Sequence, residues 1–102
     1  MQPFASTGKV RKELEDGLWI DIKEEMSYGD GRALRKAILD NPGDPEAVNV
    51  RLIEITVVGW SLGVTVDAEM IDLLSQEMAN SILKVLDAYY RPQGVTPEEK
   101  KP

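Results

Sequence analysis

Cysteine and histidine are absent from this chain of 102 residues. Without cysteine the chain can form no disulfide and offers no thiolate nucleophile. Without histidine it lacks the side chain that most often serves as a general base or metal ligand, and its serines have no such base to activate them. Only oxygen ligands remain for a metal, and the spacing of acids and glycine that marks a calcium loop does not occur. We therefore expect no enzyme activity, no metal and no cofactor.

Long apolar segments are also missing. No apolar run reaches the roughly 18 residues of a membrane span. The net charge is −6, and a chain this acidic repels DNA and anionic lipid on average. Basic residues near the N-terminus are interspersed with acidic ones, which is typical of a solvated surface rather than of a nucleic-acid site. The sequence thus predicts a cytoplasmic protein that binds neither nucleic acid nor membrane.

The composition that is present is typical of one globular domain. Hydrophobic residues make up 42% of the chain and charged residues 29%, and a chain of this length can bury a substantial core. We expect a flexible arm over residues 1–8, in which Phe4 packs on the body, and a single domain over residues 9–91. The polar, proline-containing segment over residues 92–102 predicts a disordered tail.

A β-hairpin is predicted over residues 9–23. Asp16-Gly17 is typical of a two-residue turn, because such turns need positive φ angles and glycine permits them. After the turn, Leu18, Ile20 and Ile22 alternate with polar or aromatic residues and so share one face. A lone hairpin is barely stable, and this one is therefore expected to pack on helices.

Three helices are predicted to follow. The first spans about residues 28–40, with Ser27 and Asp30 forming a capping box. The second begins after Asp44-Pro45 and continues to about residue 62, although its many β-branched residues would also suit a strand. The third runs without interruption over about residues 68–90. The predicted fold class is therefore mainly α (α+β), with an N-terminal hairpin packed on a three-helix body.

Surplus apolar surface gives the sequence its main functional signal. The segment over residues 45–62 is apolar on nearly every side, and a small body cannot cover all of it, so part of it is expected to meet a partner. The candidate protein-binding residues are Ile55, Val58, Trp60, Leu62 and Tyr89. For Trp60, a tryptophan at such a position is more often a core residue than a binding residue, and both roles stay open. The apolar second helix leaves a homo-oligomer open.

A resemblance to a known family rests on the order of these elements and on two short motifs. A strand is followed by Ser27-Tyr28-Gly29-Asp30, and a later apolar helix is expected to end in Gly59-Trp60-Ser61-Leu62 before a helix capped by Thr65 or Asp67. This pattern, over about residues 9–90, resembles the small tail assembly chaperones of long-tailed bacteriophages. The resemblance implies a mostly helical helper protein that binds apolar helices of the tape-measure protein and recruits tail-tube subunits during tail assembly.

Two other functions fit the same residues. The protein could be a small structural adaptor or connector that is built permanently into a phage particle. It could also be an unrelated helical regulator of bacterial origin. The resemblance favours the chaperone over both alternatives.

Overall fold

The computed structural model describes residues 3–93 and has the predicted α+β fold class. Its strands are β1 (Lys9–Glu13), β2 (Trp19–Lys23) and β3 (Val57–Trp60). Its helices are α1 (Tyr28–Asp40), α2 (Pro45–Thr56), α3 (Ala68–Asp72) and α4 (Gln76–Tyr90). Short 3-10 turns occur at Glu15–Gly17 and Arg91–Gln93. The N-terminal hairpin and its packing on the helices are thus confirmed.

The strands form one antiparallel sheet in the order β1-β2-β3. Val10 pairs with Ile22, and Ile20 pairs with Trp60. The hairpin turn has positive φ angles at Asp16 (61°) and Gly17 (75°), as the sequence predicts. The turn is longer than two residues, since the amide of Leu14 donates to the carbonyl of Leu18 across Glu15–Gly17.

The second helix ends earlier than predicted, because the predicted helix over residues 45–62 stops at Thr56 and the next four residues form β3. The Oγ1 of Thr56 donates to the Leu52 carbonyl at 2.8 Å and occupies the last turn of α2. Beyond it, β2 offers an unpaired edge, and the amide of Ser61 donates to the Trp19 carbonyl at 3.1 Å. The β-branched residues suit either structure, and pairing with β2 decides between them.

The predicted third helix over residues 68–90 is also two helices rather than one. α3 ends at Asp72, and α4 begins at Gln76 with Ser75 as its N-cap. The Ser75 hydroxyl accepts from the Met78 amide at 3.0 Å, which satisfies one of the orphan donors of the new helix. The body therefore has four helices in the described part of the chain.

One hydrophobic core joins the sheet to the helices. Ile20 and Ile22 of β2 belong to one buried cluster with residues from all four helices and β3. The side chains with less than 2% exposure are those of Tyr90, Ile20, Ile22, Ile53, Ile82, Leu86 and Thr56. At the end of β2, the Tyr90 hydroxyl donates to the Lys23 carbonyl at 2.5 Å, and this bond attaches α4 to the hairpin.

The chain before β1 lies along the exit of β2. Ser6 donates from its amide to Glu25 at 2.8 Å and from its hydroxyl to Glu24 at 2.7 Å. Phe4 is 85% exposed, so the expectation that Phe4 packs on the body is wrong. Most of the predicted tail, residues 94–102, lies outside the described residues, and the mobility of both ends stays a prediction.

Candidate protein-binding groove between α2 and α4

The five residues predicted to bind a partner do not form one exposed patch. Ile55 and Trp60 are each 7% exposed and belong to the core. Val58 is half exposed at the irregularity where β3 pairs with β2. Leu62 and Tyr89 are partly buried against the core. Their role in binding stays a prediction, and a partner could reach only Val58, Leu62 and Tyr89 without opening the fold.

Two of these residues have hydrogen bonds that explain their positions. The indole Nε1 of Trp60 donates to the Val64 carbonyl at 2.8 Å, which satisfies the one polar atom of a buried ring. The Tyr89 hydroxyl donates to the Glu24 carbonyl at 2.9 Å, and the Lys12 ammonium lies 5.1 Å from the centre of its ring. Both side chains therefore stabilise connections between elements.

A groove lies between α2, α3 and α4. Its volume is about 270 Å³, close to the small end of the range for ligand sites. The apolar residues that line it come from all three helices and the α3–α4 connection: Val50, Ile53, Ile71, Leu74, Ala79 and Leu83. The polar residues that line it are Glu46, Asn49, Asp72, Gln76 and Asn80.

Local sequence rules position these side chains. Val50 and Ile53 lie on one face of α2, and Ala79 and Leu83 lie on one face of α4, because residues three or four apart are neighbours on a helix. α3 ends at Asp72, and α4 starts as a separate helix after its N-cap Ser75. Thus two helix faces and a short third helix meet around an apolar floor with polar sides.

The charged residues that line the groove are all acidic. Glu46 and Asp72 are exposed carboxylates at its sides, and no lysine or arginine is among the residues that line it. A bound segment would therefore gain from positive charge beside its apolar residues. An amphipathic helix with lysine or arginine flanking its apolar face has this chemistry.

A second cleft continues the groove along α2. It has a volume of about 290 Å³ and lies at the α1–α2 connection, where Ile38, Pro42, Pro45 and Val48 contribute to its lining. Asn49 lines both clefts. The two therefore share one edge of α2.

A cluster of charges lies on the sheet face opposite the core, and it is fully paired. Asp21 is 5% exposed. It accepts from Arg11 through both carboxylate oxygens at 2.8 and 3.1 Å, and Lys9 lies at 3.8 Å. The hydrogen bonds from Arg11 hold the pKa of Asp21 below its usual value. The Arg11 guanidinium also lies 3.5 Å from the centre of the Trp19 ring. This cluster is structural, since every charge in it has a partner.

Asp30 is the second carboxylate with a shifted pKa. Burial raises its pKa, but hydrogen bonds from the Ser27 amide and from Lys23 outweigh burial and hold the pKa of Asp30 below its usual value. The capping box of Ser27 and Asp30 is present as the sequence predicts. This group therefore fixes the start of α1.

Residues 3–93 contain no group of three acidic side chains placed to hold a metal ion. Among the same residues, no helix combines the length and the apolar character needed to cross a bilayer.

Sequence reasoning missed the groove residues as a set. Val50, Leu74 and Leu83 appear in the sequence as ordinary core positions of helices. The serine at position 75, followed by Glu77 in a first turn, is the local signal that could have shown the helix break. No local signal places α2 beside α4.

Comparisons of this chain with protein-family models, with curated proteins and with solved structures found no match.

Proposed function

We propose that this protein is a non-enzymatic tail assembly chaperone that holds helical segments of a client protein. In this proposal the client is a phage tape-measure protein, and the complex recruits tail-tube subunits in the host cytoplasm. The observation that carries the proposal is the apolar groove between α2 and α4, which has carboxylates at its sides. The resemblance in the motifs Ser27-Tyr28-Gly29-Asp30 and Trp60-Ser61-Leu62 supplies the identity of the client.

The mechanism follows from the chemistry of the groove. Apolar side chains of a client helix would enter between Val50 and Leu83, where burial removes them from water. Lysine or arginine residues of the client would lie near Glu46 and Asp72. Repulsion between complexes that carry the protein's net charge of −6 would keep them in solution.

Co-expression with the tape-measure protein encoded beside this chain tests the proposal. The client should be recovered in the soluble fraction severalfold more with this protein than without it. Equal recovery of the client in both cases would refute the chaperone function. Mass spectrometry of purified particles separates the adaptor from the chaperone, because an adaptor remains in the particle in stoichiometric amount and a chaperone does not.

A matched pair of variants locates the client site. Ala79 lines the groove, whereas Ala88 is exposed on the same helix outside it. Ala79→Arg fills the groove and repels a basic client, so it should reduce client recovery toward the level without the protein. Ala88→Arg adds the same side chain to the same helix and should retain full recovery. Circular dichroism of both variants checks that α4 is intact, and equal recovery with the two would place the client elsewhere.

A further inference from the structure

An exposed stripe on α1 carries the positive charge that the groove lacks. Tyr28 and Leu39 are 80% and 79% exposed, although both are large and apolar. Arg32 and Arg35 lie between them and are exposed as well. The steps of four, three and four residues place all four on one side of the helix, over about 16 Å at 1.5 Å per residue. We call these four residues the α1 stripe.

The arginines of the α1 stripe form no salt bridge within the described part of the chain. Arg35 instead lies 5.7 Å from the centre of the Tyr28 ring. In a protein with a net charge of −6, two neighbouring guanidinium groups that have no carboxylate partner and lie beside exposed apolar side chains form a surface that suits an acidic partner.

The groove between α2 and α4 has the acidic and apolar chemistry that this partner needs. The α1 stripe supplies an apolar side chain at one end and two arginines along its length, and the groove supplies an apolar floor with Glu46 and Asp72 at its sides. The groove volume of about 270 Å³ leaves room for the side chain of Leu39. The opposite face of α1 packs Leu34 and Ala37 into the core, so the stripe faces away from its own body.

We propose that the α1 stripe of one copy of this protein docks into the groove between α2 and α4 of a second copy. Leu39 enters the groove, and Arg32 and Arg35 pair with Glu46 and Asp72. The contact joins two different surfaces and is therefore heterologous, so it extends head to tail into a ring or a short chain. One helix docked in one groove buries less than a standard interface, and the association is weak and sensitive to salt.

The same groove then has two occupants that exclude each other. Without client, the α1 stripe of a second copy covers the apolar floor. A client helix that binds the groove displaces the stripe and converts the assembly into complexes with one copy each. Self-association itself does not require the client function, and it can be tested on the pure protein.

Sedimentation velocity of the pure protein from about 10 μM to about 1 mM tests the self-association. We expect the weight-average mass to rise with concentration at low salt and to fall toward the monomer at about 1 M salt. A monomer over the whole concentration range at low salt would overturn the proposal.

A charge exchange identifies the two surfaces. Arg32→Glu with Arg35→Glu reverses the stripe, and Glu46→Lys with Asp72→Lys reverses the groove. Each double variant alone places like charges together, and its association should weaken at least about tenfold. An equimolar mixture restores opposite charges at both contacts and should associate as the wild type does. Association of either variant alone at wild-type strength, or a mixture that stays monomeric, would contradict the docking.

Two measurements separate misfolding and the client function from this result. Circular dichroism and thermal melting report whether each variant is folded, and if the groove variant is not, the single change Asp72→Lys replaces it. Lys84→Glu, an exposed charge reversal on α4 outside the groove lining, is the control and should associate normally. Arg32→Glu with Arg35→Glu should still hold a client, whereas Ala79→Arg should lose both the client and the second copy.

Discussion

At the scale of single residues, Asp21 is a carboxylate that the fold buries and pairs. A carboxylate that is almost fully buried is costly unless it is paired, and here Arg11 binds both of its oxygens. The guanidinium of Arg11 in turn lies on the ring of Trp19. The pair therefore fixes the register of β1 against β2 on the face away from the core.

This arrangement predicts a pH-dependent contribution to stability. Because its folded pKa is lowered, Asp21 stabilises the fold fully above its unfolded pKa of about 4, and this contribution is lost as the pH falls through the lower folded value. Asp21→Asn removes the charge, so urea unfolding should show the variant less stable than wild type at pH 7. The difference should shrink steadily below about pH 4.

The comparison with the variant isolates Asp21 from the other acidic groups. Asp30 also has a lowered pKa, but it is present in both proteins and cancels. Asp72→Asn, which removes an exposed carboxylate that has no ion pair in the described structure, is the control variant. A stability difference for Asp21→Asn that stays constant down to about pH 2 would exclude the paired carboxylate as its source.

At the scale of elements, the break between α3 and α4 depends on a cap. Ser75 has an extended backbone, and its hydroxyl accepts from the Met78 amide. Ser75→Ala removes that acceptor and should lower the free energy of unfolding by about 1 kcal/mol. Ser81→Ala in the middle of α4 is the matched control and should have little effect or a slight gain, because alanine is the better helix former. Urea unfolding followed by circular dichroism measures both.

Hydrogen exchange shows where the loss occurs. Faster exchange in Ser75→Ala should concentrate in the first turn of α4, at amides near Met78, since this is where a donor loses its acceptor. Equal effects of Ser75→Ala and Ser81→Ala would mean that the cap contributes nothing and that packing alone begins α4.

The elements also show what sequence reasoning can reach. Local chemistry predicts the capping box at Ser27 and the turn at Asp16-Gly17, because each depends on residues close in sequence. It fails at residues 57–60, since a run of β-branched residues suits a helix and a strand alike and only the edge of β2 selects the strand. The groove was out of reach for the same reason, because it exists only once α2 and α4 lie side by side.

At the scale of the whole molecule, the last turn of α4 closes the fold onto its first hairpin. Tyr90 is fully buried, and its hydroxyl donates to the carbonyl of Lys23, a residue 67 positions earlier. Tyr89 makes a similar bond to Glu24 from a more exposed position. Burial raises the pKa of the Tyr90 hydroxyl well above its usual value, so it remains a donor through the alkaline range.

A matched pair of tyrosine variants measures this closure. Tyr90→Phe leaves the Lys23 carbonyl without its buried donor and should cost about 1–3 kcal/mol in the free energy of unfolding, whereas Tyr89→Phe loses a bond that water can replace and should cost less. Because one core joins the sheet to the helices, tryptophan fluorescence and circular dichroism should report one coincident urea transition in both variants. Equal costs for the two variants would show that burial of the bond does not matter. Separate transitions in Tyr90→Phe would show instead that this hydroxyl is what makes hairpin and helices unfold together.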